Sequence, residues 1–281
     1  MTASLQLLTG LSQIAARYDT LICDVWGVLH NGATVHAPAI AALRKFRDKH
    51  GRVVLLSNAP RPASDLEEQF AHFGVPLDCY DTIVTSGGAA REDLARRSAL
   101  GGLAMLHLGP ERNLCVFDGL DIQLTDAAGA EIVLCTGFHD DEIETPTDYA
   151  DRLAALKARD LTMLCANPDL VVQRGSKLIY CAGSLAKAYE AIGGKVIYYG
   201  KPHLPIYDHV RAVAAGAARP LAIGDGMHTD IKGANAAGID ALFIADGVHG
   251  EDVSEFTQGH LGELFAGAGV HAQAAMRALV W

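Results

Sequence analysis

An apolar run that ends in a single carboxylate constrains the fold of this chain more than any other feature. Within residues 18–32, YDTLICDVWGVLHNG, the segment Leu21-Ile22-Cys23 leads directly into Asp24, and Trp26 and Gly27 follow. The run predicts a buried strand that presents Asp24 at its carboxyl end, where open α/β sheets build their ligand sites. The stretch therefore predicts an α/β fold with a functional site close to Asp24.

Helix-like and strand-like segments alternate through the first third of the chain. We predict them, in order, as a helix at 4–17, a strand ending at Asp24, a helix at 39–50, a strand at 52–56, a helix at 65–73 capped by Ser64, and a strand at 82–85. The small residues Ser86-Gly87-Gly88 are predicted as a linker ahead of another helix. This order predicts a parallel sheet with helices on its faces.

A second series of strand-like segments starts near residue 101. It comprises strands at 104–108, 131–135, 162–165 and 177–180 and a helix at 147–158. The first pattern resumes with strands at 196–199, 221–223 and 241–244 and a helical C-terminus. We therefore predict a Rossmann-like, doubly wound core from residues 1–88 and 196–281, interrupted by an inserted α/β domain at 89–195.

The charge balance bears on the kind of partner. With 33 acidic against 23 basic residues, the net charge of −10 argues against a nucleic-acid backbone as partner. It leaves room for a small anionic substrate, because one metal ion reverses the local field. The six scattered cysteines indicate reduced thiols, and no apolar run approaches the ~20 residues that span a bilayer. We expect a soluble, cytoplasmic protein without a membrane partner.

Four loops share one property, since each leaves an apolar strand and carries polar side chains. They contain Asp24, Ser57-Asn58, Lys201, and the pair Asp225 and Asp230. The exits of parallel strands converge on one sheet edge, so these side chains are expected to meet there. Carboxylates from two loops suit Mg²⁺, and a hydroxyl, an amide and an ammonium suit phosphoryl oxygens. Taken singly, each residue is equally compatible with an ordinary turn or helix entry.

The ordered set resembles the four motifs of the haloacid-dehalogenase superfamily. The matching segments are Asp24-Val-Trp-Gly-Val-Leu29, Leu55-Leu-Ser-Asn58, Gly200-Lys201-Pro202, and Gly224-Asp225-Gly-Met-His-Thr229-Asp230-Ile. The Ser-Asn and Lys-Pro pairs and the run from Gly233 to Gly238 resemble the subfamily with a large α/β cap between the second and third motifs. Asn167-Pro168-Asp169 resembles its cap signature. That subfamily includes sugar-phosphate, nucleotide and p-nitrophenyl phosphate phosphatases.

The resemblance assigns expected roles to the polar residues. Asp24 corresponds to a nucleophile that forms an aspartyl phosphate. Its carboxylate, the backbone carbonyl of Trp26 and the carboxylate of Asp225 correspond to Mg²⁺ ligands. Asp230 corresponds to a further ligand or to an anchor of metal-bound water.

The remaining matched residues correspond to groups that act on the phosphoryl oxygens. Ser57 and the backbone around Asn58 resemble donors to these oxygens, and Lys201 resembles the lysine that balances the charge of nucleophile and phosphate. The resemblance implies a small phosphorylated metabolite as partner. A homodimer is one possible oligomeric state, which the sequence leaves open, since cap-to-cap dimers occur in similar proteins.

Trp26 departs from the family pattern. The phosphatase motif has a second Asp at this position, which protonates the leaving oxygen and then activates water, work that contributes ~10²–10⁴-fold. An indole N–H donates a hydrogen bond but does not titrate near neutrality. His30, in the same loop, and His228, inside the fourth motif, are alternative sources of the proton.

Three functions follow from these observations. The first is a Mg²⁺-dependent phosphohydrolase that favours activated substrates, such as aryl or acyl phosphates, because they need no acid. The second is a phosphate-ligand-binding protein with a degenerate catalytic site. The third keeps the nucleophile but cleaves a C–P or C–halogen bond.

Overall fold

The computed structural model describes residues 5–32, 34–99, 101–174, 177–247, 253 and 255–281. Its strands are β1 Gln6–Leu7, β2 Thr20–Asp24, β3 Arg52–Ser57, β4 Thr82–Thr85, β5 Leu103–Leu108, β6 Ile122–Leu124, β7 Ile132–Cys135, β8 Thr162–Cys165, β9 Val171–Arg174, β10 Lys177–Tyr180, β11 Lys195–Tyr198, β12 Pro220–Gly224, β13 Asp240–Ile244 and β14 Ala274–Met276. Its α-helices are α1 Ala37–Lys49, α2 Ala63–Phe73, α3 Ser86–Ser98, α4 Ala150–Ala158, α5 Ala182–Ala191, α6 Leu204–Val213, α7 Lys232–Ala237 and α8 Gln258–Ala268. Among the described residues, no helix has the length and apolar character needed to cross a membrane.

The chain forms two compact units. The first unit comprises Met1–Ser57, Leu66–Val84 and Lys201–Trp281, and the second comprises Asn58–Asp65 and Thr85–Gly200. The predicted domain borders, 1–88 and 196–281 around 89–195, stay a prediction.

A seven-stranded sheet forms the centre of the first unit, in the order β1-β14-β13-β12-β2-β3-β4. The pairs from β1 to β3 along this order are parallel, which confirms the predicted α/β fold with a doubly wound parallel sheet. Strand β2 is buried along its whole length, because helices cover both faces of such a sheet. Its neighbours on the two sides, β12 and β3, come from opposite ends of the chain.

Helix α1 shows how local sequence and packing combine in this unit. Pro38 stands in its first turn, where the missing N–H has no intrahelical partner to lose. Its inner face, which includes Leu43 and Phe46, is buried. The helix ends before Gly51, where a Cβ atom would lie 1.9 Å from the carbonyl oxygen of Asp19. Glycine is therefore required by a close backbone approach.

The second unit has a parallel five-stranded sheet of its own, in the order β11-β8-β7-β5-β6. Strands β9 and β10 form a separate antiparallel hairpin. The core of the unit is built around buried aromatic side chains, including Phe138, Tyr149 and Tyr189. Strands β6 and β9 and helix α5 of this unit were absent from the sequence prediction, because short strands carry little periodicity and the many small residues of α5 weaken its apolar pattern.

The predicted helix at 4–17 is wrong over its described residues. Gln6–Leu7 instead pair with β14, and two short 3₁₀ turns follow. The side-chain oxygen of Gln13 accepts hydrogen bonds from the N–H groups of Thr9 and Gly10, at 2.8 and 3.2 Å. Pairing with a distant strand thus overrides the three-residue spacing of leucines. That strand, β14, also corrects the prediction of a purely helical C-terminus.

Two predicted helix starts also differ. Helix α2 begins at Ala63, so Ser64 lies inside the helix and does not cap it. Ser86-Gly87-Gly88, predicted as a linker, forms the first turn of α3, where the Thr85 hydroxyl accepts a hydrogen bond from the Gly88 N–H at 2.8 Å. A Cβ atom at Gly87 would lie 2.3 Å from the carbonyl oxygen of Pro60, so close packing requires glycine there.

Candidate active site

Three adjacent strands of the first unit bring the predicted site residues to one sheet edge. Cys23 of β2 pairs with Ile223 of β12, and Asp24 pairs with Leu56 of β3. Asp225, which follows β12, and Ser57, the last residue of β3, therefore each lie one residue beyond the level of Asp24. The carboxyl edge of a parallel sheet is where such folds place ligands.

A π-helical turn over Met227–Ile231 places the second carboxylate of the fourth motif. Within it, the Gly226 N–H and the Thr229 hydroxyl donate hydrogen bonds to Asp230 Oδ2, at 3.1 and 3.3 Å. A Cβ atom at Gly224 would lie 2.1 Å from the carboxyl carbon of Asp230. The position of Asp230 therefore depends on the π-helical turn and on a glycine at position 224, next to its carboxylate. Single π-helical turns are frequent at functional sites.

Two glycines confine the carboxylate of Asp225, which is fully buried. A Cβ atom at Gly27, whose φ is +95°, would lie 2.2 Å from Asp225 Oδ2. One at Gly247 would lie equally close to the same oxygen. The Trp26–Gly27 segment thus lies against Asp225. A metal site that uses both the Trp26 carbonyl and the Asp225 carboxylate would need these two groups to be close. The role of Gly247 was missed by the sequence analysis, although a glycine soon after the last predicted strand was a usable signal.

Lys201 bridges two of the carboxylates. Its Nζ atom lies 2.5 Å from Asp24 Oδ1 and 2.7 Å from Asp230 Oδ1. All three residues are at most 5% exposed. Buried charges persist only when they are paired and hydrogen-bonded, and this ammonium donates to both acids.

The site carries more negative than positive charge. Asp24, Asp225 and Asp230 offer oxygens within 4.8 Å of one another, and with Lys201 the formal charges sum to −3 + 1 = −2. Burial, and then the charge of Asp230, raise the pKa of Asp24 well above its usual range, although Lys201 opposes this. Burial alone would lower the pKa of Lys201, but the two acids together raise it well above its usual value. Excess negative charge contributes to both pKa shifts, and a divalent cation would neutralise it.

The donor chemistry of this cluster fits Mg²⁺. Carboxylate and carbonyl oxygens are the ligands that this hard cation prefers, and it retains waters in its remaining positions. Asp24 and Asp225, with the Trp26 carbonyl, could hold the ion, and Asp230 lies close enough to act as ligand or to orient a bound water. Among the described residues this is the one such group of acidic, histidine or cysteine ligands.

Ser57 and Asn58 belong to different compact units. Ser57 ends β3 in the first unit and is partly buried. Asn58 is buried in the second unit, where its side-chain amide donates to Asp169 Oδ1 at 2.8 Å. Gly200 packs on the same amide, since a Cβ atom there would lie 2.5 Å from Asn58 Oδ1. The role expected for the backbone around Asn58 stays a prediction.

Trp26 is held by packing. Its indole lies against Gly32, where a Cβ atom would come within 2.4 Å of the ring, and the ring meets that of His30 edge-on at 5.3 Å. The indole Nε1 is buried and has no hydrogen-bond partner within the part of the chain that the structure describes. The side chain is thus positioned by packing and not by a hydrogen bond from its N–H group to the described residues.

The two histidines proposed as alternative acids occupy different environments. His30 is 3% exposed, its Nδ1 accepts a hydrogen bond from the Gly32 N–H at 3.1 Å, and its ring packs on Phe73. Burial, with a smaller effect from His36, lowers the pKa of His30, so a neutral imidazole is favoured. His228 is exposed on the π turn. His30 therefore has the environment of a core residue. The role of His228 as an alternative proton donor stays a prediction.

Family models match two parts of the chain. The model described as "Haloacid dehalogenase-like hydrolase" matches residues 21–123, and that described as HAD-hydrolase-like matches residues 198–262. Among solved structures, a hydrolase of the haloacid dehalogenase-like family from Brucella suis is 43% identical, with a TM-score of 0.83, over 98% of this chain and 100% of that one.

Two curated phosphatases are also similar. The D-glycerol 3-phosphate phosphatase of Mycobacterium tuberculosis is 27% identical over 85% of this chain, which spans 66% of that relative. A glycerol phosphate phosphatase of that organism, solved in complex with calcium, is 25% identical with a TM-score of 0.67, over 84% of this chain and 68% of that one. The ribonucleotide monophosphatase NagD of Escherichia coli is 27% identical over 83% of this chain and 89% of the relative.

Proposed function

Because the chain belongs to the haloacid dehalogenase-like hydrolases, we propose that it is a Mg²⁺-dependent phosphatase acting on a small phosphorylated metabolite. The observation that carries the proposal is the buried cluster of Asp24, Asp225, Asp230 and Lys201, with its formal charge of −2. A catalytic carboxylate, a divalent-cation site and a fixed ammonium are the parts that phosphoryl transfer needs.

Asp24 is proposed as the nucleophile. One of its oxygens attacks phosphorus and the bond to the leaving oxygen breaks, which gives an aspartyl phosphate. Water then attacks phosphorus, the bond to Asp24 breaks, and phosphate leaves with the carboxylate regenerated. Lys201 orients Asp24 through Oδ1 and offsets the charge that gathers on the phosphoryl oxygens, and the Ser57 hydroxyl is proposed as a donor to one of them.

The proposed metal ligands are Asp24, the Trp26 carbonyl and Asp225, with Asp230 as a further ligand or water anchor. When bound, Mg²⁺ supplies Lewis-acid polarisation of a phosphoryl oxygen. The calcium-bound relative from M. tuberculosis supports a divalent cation at this site, because Ca²⁺ prefers the same oxygen donors.

Trp26 determines which substrates turn over fast. With no carboxyl at this position, a leaving oxygen takes its proton from water, so aryl and acyl phosphates are favoured over alkyl phosphates. The names of the curated relatives, a glycerol phosphate phosphatase and a ribonucleotide monophosphatase, support a small phosphorylated metabolite as substrate.

The test compares wild-type protein with Asp24→Asn on p-nitrophenyl phosphate, with Mg²⁺ and with EDTA. Wild-type protein should hydrolyse the ester only with metal, and acid quenching should trap a phosphoenzyme that Asp24→Asn does not form. Asp246→Asn is the matched control. Asp246 follows β13, which lies next to β12 in the same sheet, but it is exposed and paired with Arg277. Equal turnover by wild type and Asp24→Asn would exclude the proposed nucleophile.

A second function is favoured by the missing acid at Trp26. A protein with this site could bind Mg²⁺ and a phosphorylated ligand without turning it over, and so act as a sensor. Calorimetric binding of glycerol 3-phosphate with Mg²⁺, together with the absence of phosphoenzyme from every substrate class, would support this alternative.

A further inference from the structure

The second unit contains a cavity at the carboxyl edge of its own sheet. Its strands follow the spatial order 2-1-3-4-5, when β5, β6, β7, β8 and β11 are numbered along the chain. In such doubly wound sheets the strand order reverses between the first and third strands, here β5 and β7, and ligands bind in the crevice at that point. A cavity of about 180 Å³ lies there, lined by the loops that follow these two strands, including Asn113 and Thr136.

Two arginines line the cavity of this acidic protein. The charged lining residues are Arg61, Arg112 and Asp141, which sum to +2 − 1 = +1, and Asp65, which pairs with Arg61 from outside the lining, brings the local sum to 0. Arg112 is held by an ion pair with Asp141, and Arg61 by one with Asp65 at 3.5 Å. A guanidinium has five donors in a planar fork that matches a carboxylate, and these ion pairs position both forks.

Buried polar groups fix the wall behind the arginines. The Asn113 amide donates to the Thr136 carbonyl oxygen at 3.2 Å, and the Thr136 hydroxyl lies 2.8 Å from His107 Nε2. Asn113 and Thr136 are each 3% exposed. The loop after β5 lies close to Thr136, because a Cβ atom at Gly109 would lie 2.0 Å from the Thr136 hydroxyl. The two loops are thus held together by side-chain contacts, and the cavity is pre-formed.

We propose that this cavity is a binding site for a small carboxylate-bearing ligand, held by Arg112 and Arg61. Its volume is below the ~300 Å³ at which sites for drug-sized ligands begin, which favours an acid of a few carbons. The planar guanidinium forks of Arg112 and Arg61 match the planar carboxylate groups of such an acid. The inference does not rest on the proposed phosphatase activity, because binding is measured without turnover.

The test measures binding of malonate, and of its neutral counterpart malonamide, by calorimetry in EDTA. Without metal the acidic cluster of the first unit, at −2, repels anions and does not compete for the probe. Malonate should bind at least ~10-fold more tightly than malonamide, and Arg112→Ala and Arg61→Ala should each weaken it by ~10-fold or more, the range for hydrogen bonds to charged groups. Arg152→Ala is the control, because Arg152 is exposed on α4 outside the cavity.

Competition distinguishes the origin of the carboxylate. With Mg²⁺ and p-nitrophenyl phosphate, competitive inhibition by malonate that is lost in Arg112→Ala supports a carboxylate that belongs to the substrate. Binding without inhibition supports a separate small ligand. Equal affinity for malonate and malonamide in the wild-type protein overturns the site, whatever the arginine variants do, and so does tighter binding of inorganic phosphate than of malonate.

Discussion

Replacing Trp26 by Asp is expected to restore the general acid that the first motif lacks. General acid–base groups contribute ~10²–10⁴-fold, or ~2.7–5.5 kcal/mol of barrier. The gain should appear on alkyl phosphates, whose leaving oxygen needs a proton, and should nearly vanish on p-nitrophenyl phosphate. Since burial, and then the charge of Asp230, already raise the pKa of Asp24, a further carboxyl in this loop should also retain its proton readily.

The same substitution removes packing. The indole covers Gly32 and meets the His30 ring edge-on, but Trp26 is only partly buried. The loss of stability should therefore stay below the ~3–5 kcal/mol typical of a fully buried tryptophan that is truncated to alanine. It is also offset in part, because the buried Nε1 donor, which has no partner within the described part of the chain, is removed.

The assay measures kcat/KM for glycerol 3-phosphate and for p-nitrophenyl phosphate with Mg²⁺, alongside the melting temperature of each variant. Trp26→Asn is the control, because it has the shape of Asp without a proton to transfer. Trp26→Phe keeps an aromatic side chain and removes the N–H group together with part of the ring volume. If Trp26→Asn gains as much as Trp26→Asp, or if neither gains on the alkyl ester, the assignment of Trp26 to the position of the acid is refuted.

Three further predictions address the charges and the backbone. Gly27→Ala should weaken Mg²⁺ binding by ~10–100-fold, because its Cβ atom would displace the Asp225 carboxylate. Gly74→Ala is the control, since Gly74 has a similar φ of +73° but open space around it, and Mg²⁺ binding should be unchanged. Equal losses of Mg²⁺ affinity in the two variants, measured by calorimetry, would contradict this. Lys201→Met should lower the free energy of unfolding in EDTA by ~3–5 kcal/mol, since it leaves two buried acids unpaired. The loss should be smaller in Mg²⁺, because the cation offsets the charge of these acids. Equal urea midpoints for wild type and variant in EDTA would count against this. Burial lowers the pKa of His107 to about 4, so its contribution to stability is present above the unfolded pKa of ~6.5 and is lost as pH falls towards 4. Between pH 7 and 4, wild type should therefore lose up to ~3 kcal/mol more than His107→Gln by urea unfolding, and parallel pH profiles would rule this out.

Much of the fold of the first unit could be predicted from the sequence. Buried parallel strands are continuous apolar runs, so β2, β3 and β12 were found to within a residue or two at each end. The N-terminal segment was not, because Gln6–Leu7 are ordered by pairing with β14 at the far end of the chain. Leucine spacing alone could not report a partner more than 260 residues away.

The sequence by itself determined which groups could act, since the carboxylates, the lysine and the tryptophan could be identified from strand exits and motif order. Tertiary structure decided how they act together. Lys201 is shared between Asp24 and Asp230 because β2, β12 and the π turn meet, and burial at that point, followed by the charge of Asp230, raises the pKa of Asp24. The cavity beside Arg112 was likewise decided by structure alone. It depends on the order of the strands in the sheet, and the sequence of a single strand does not show that order.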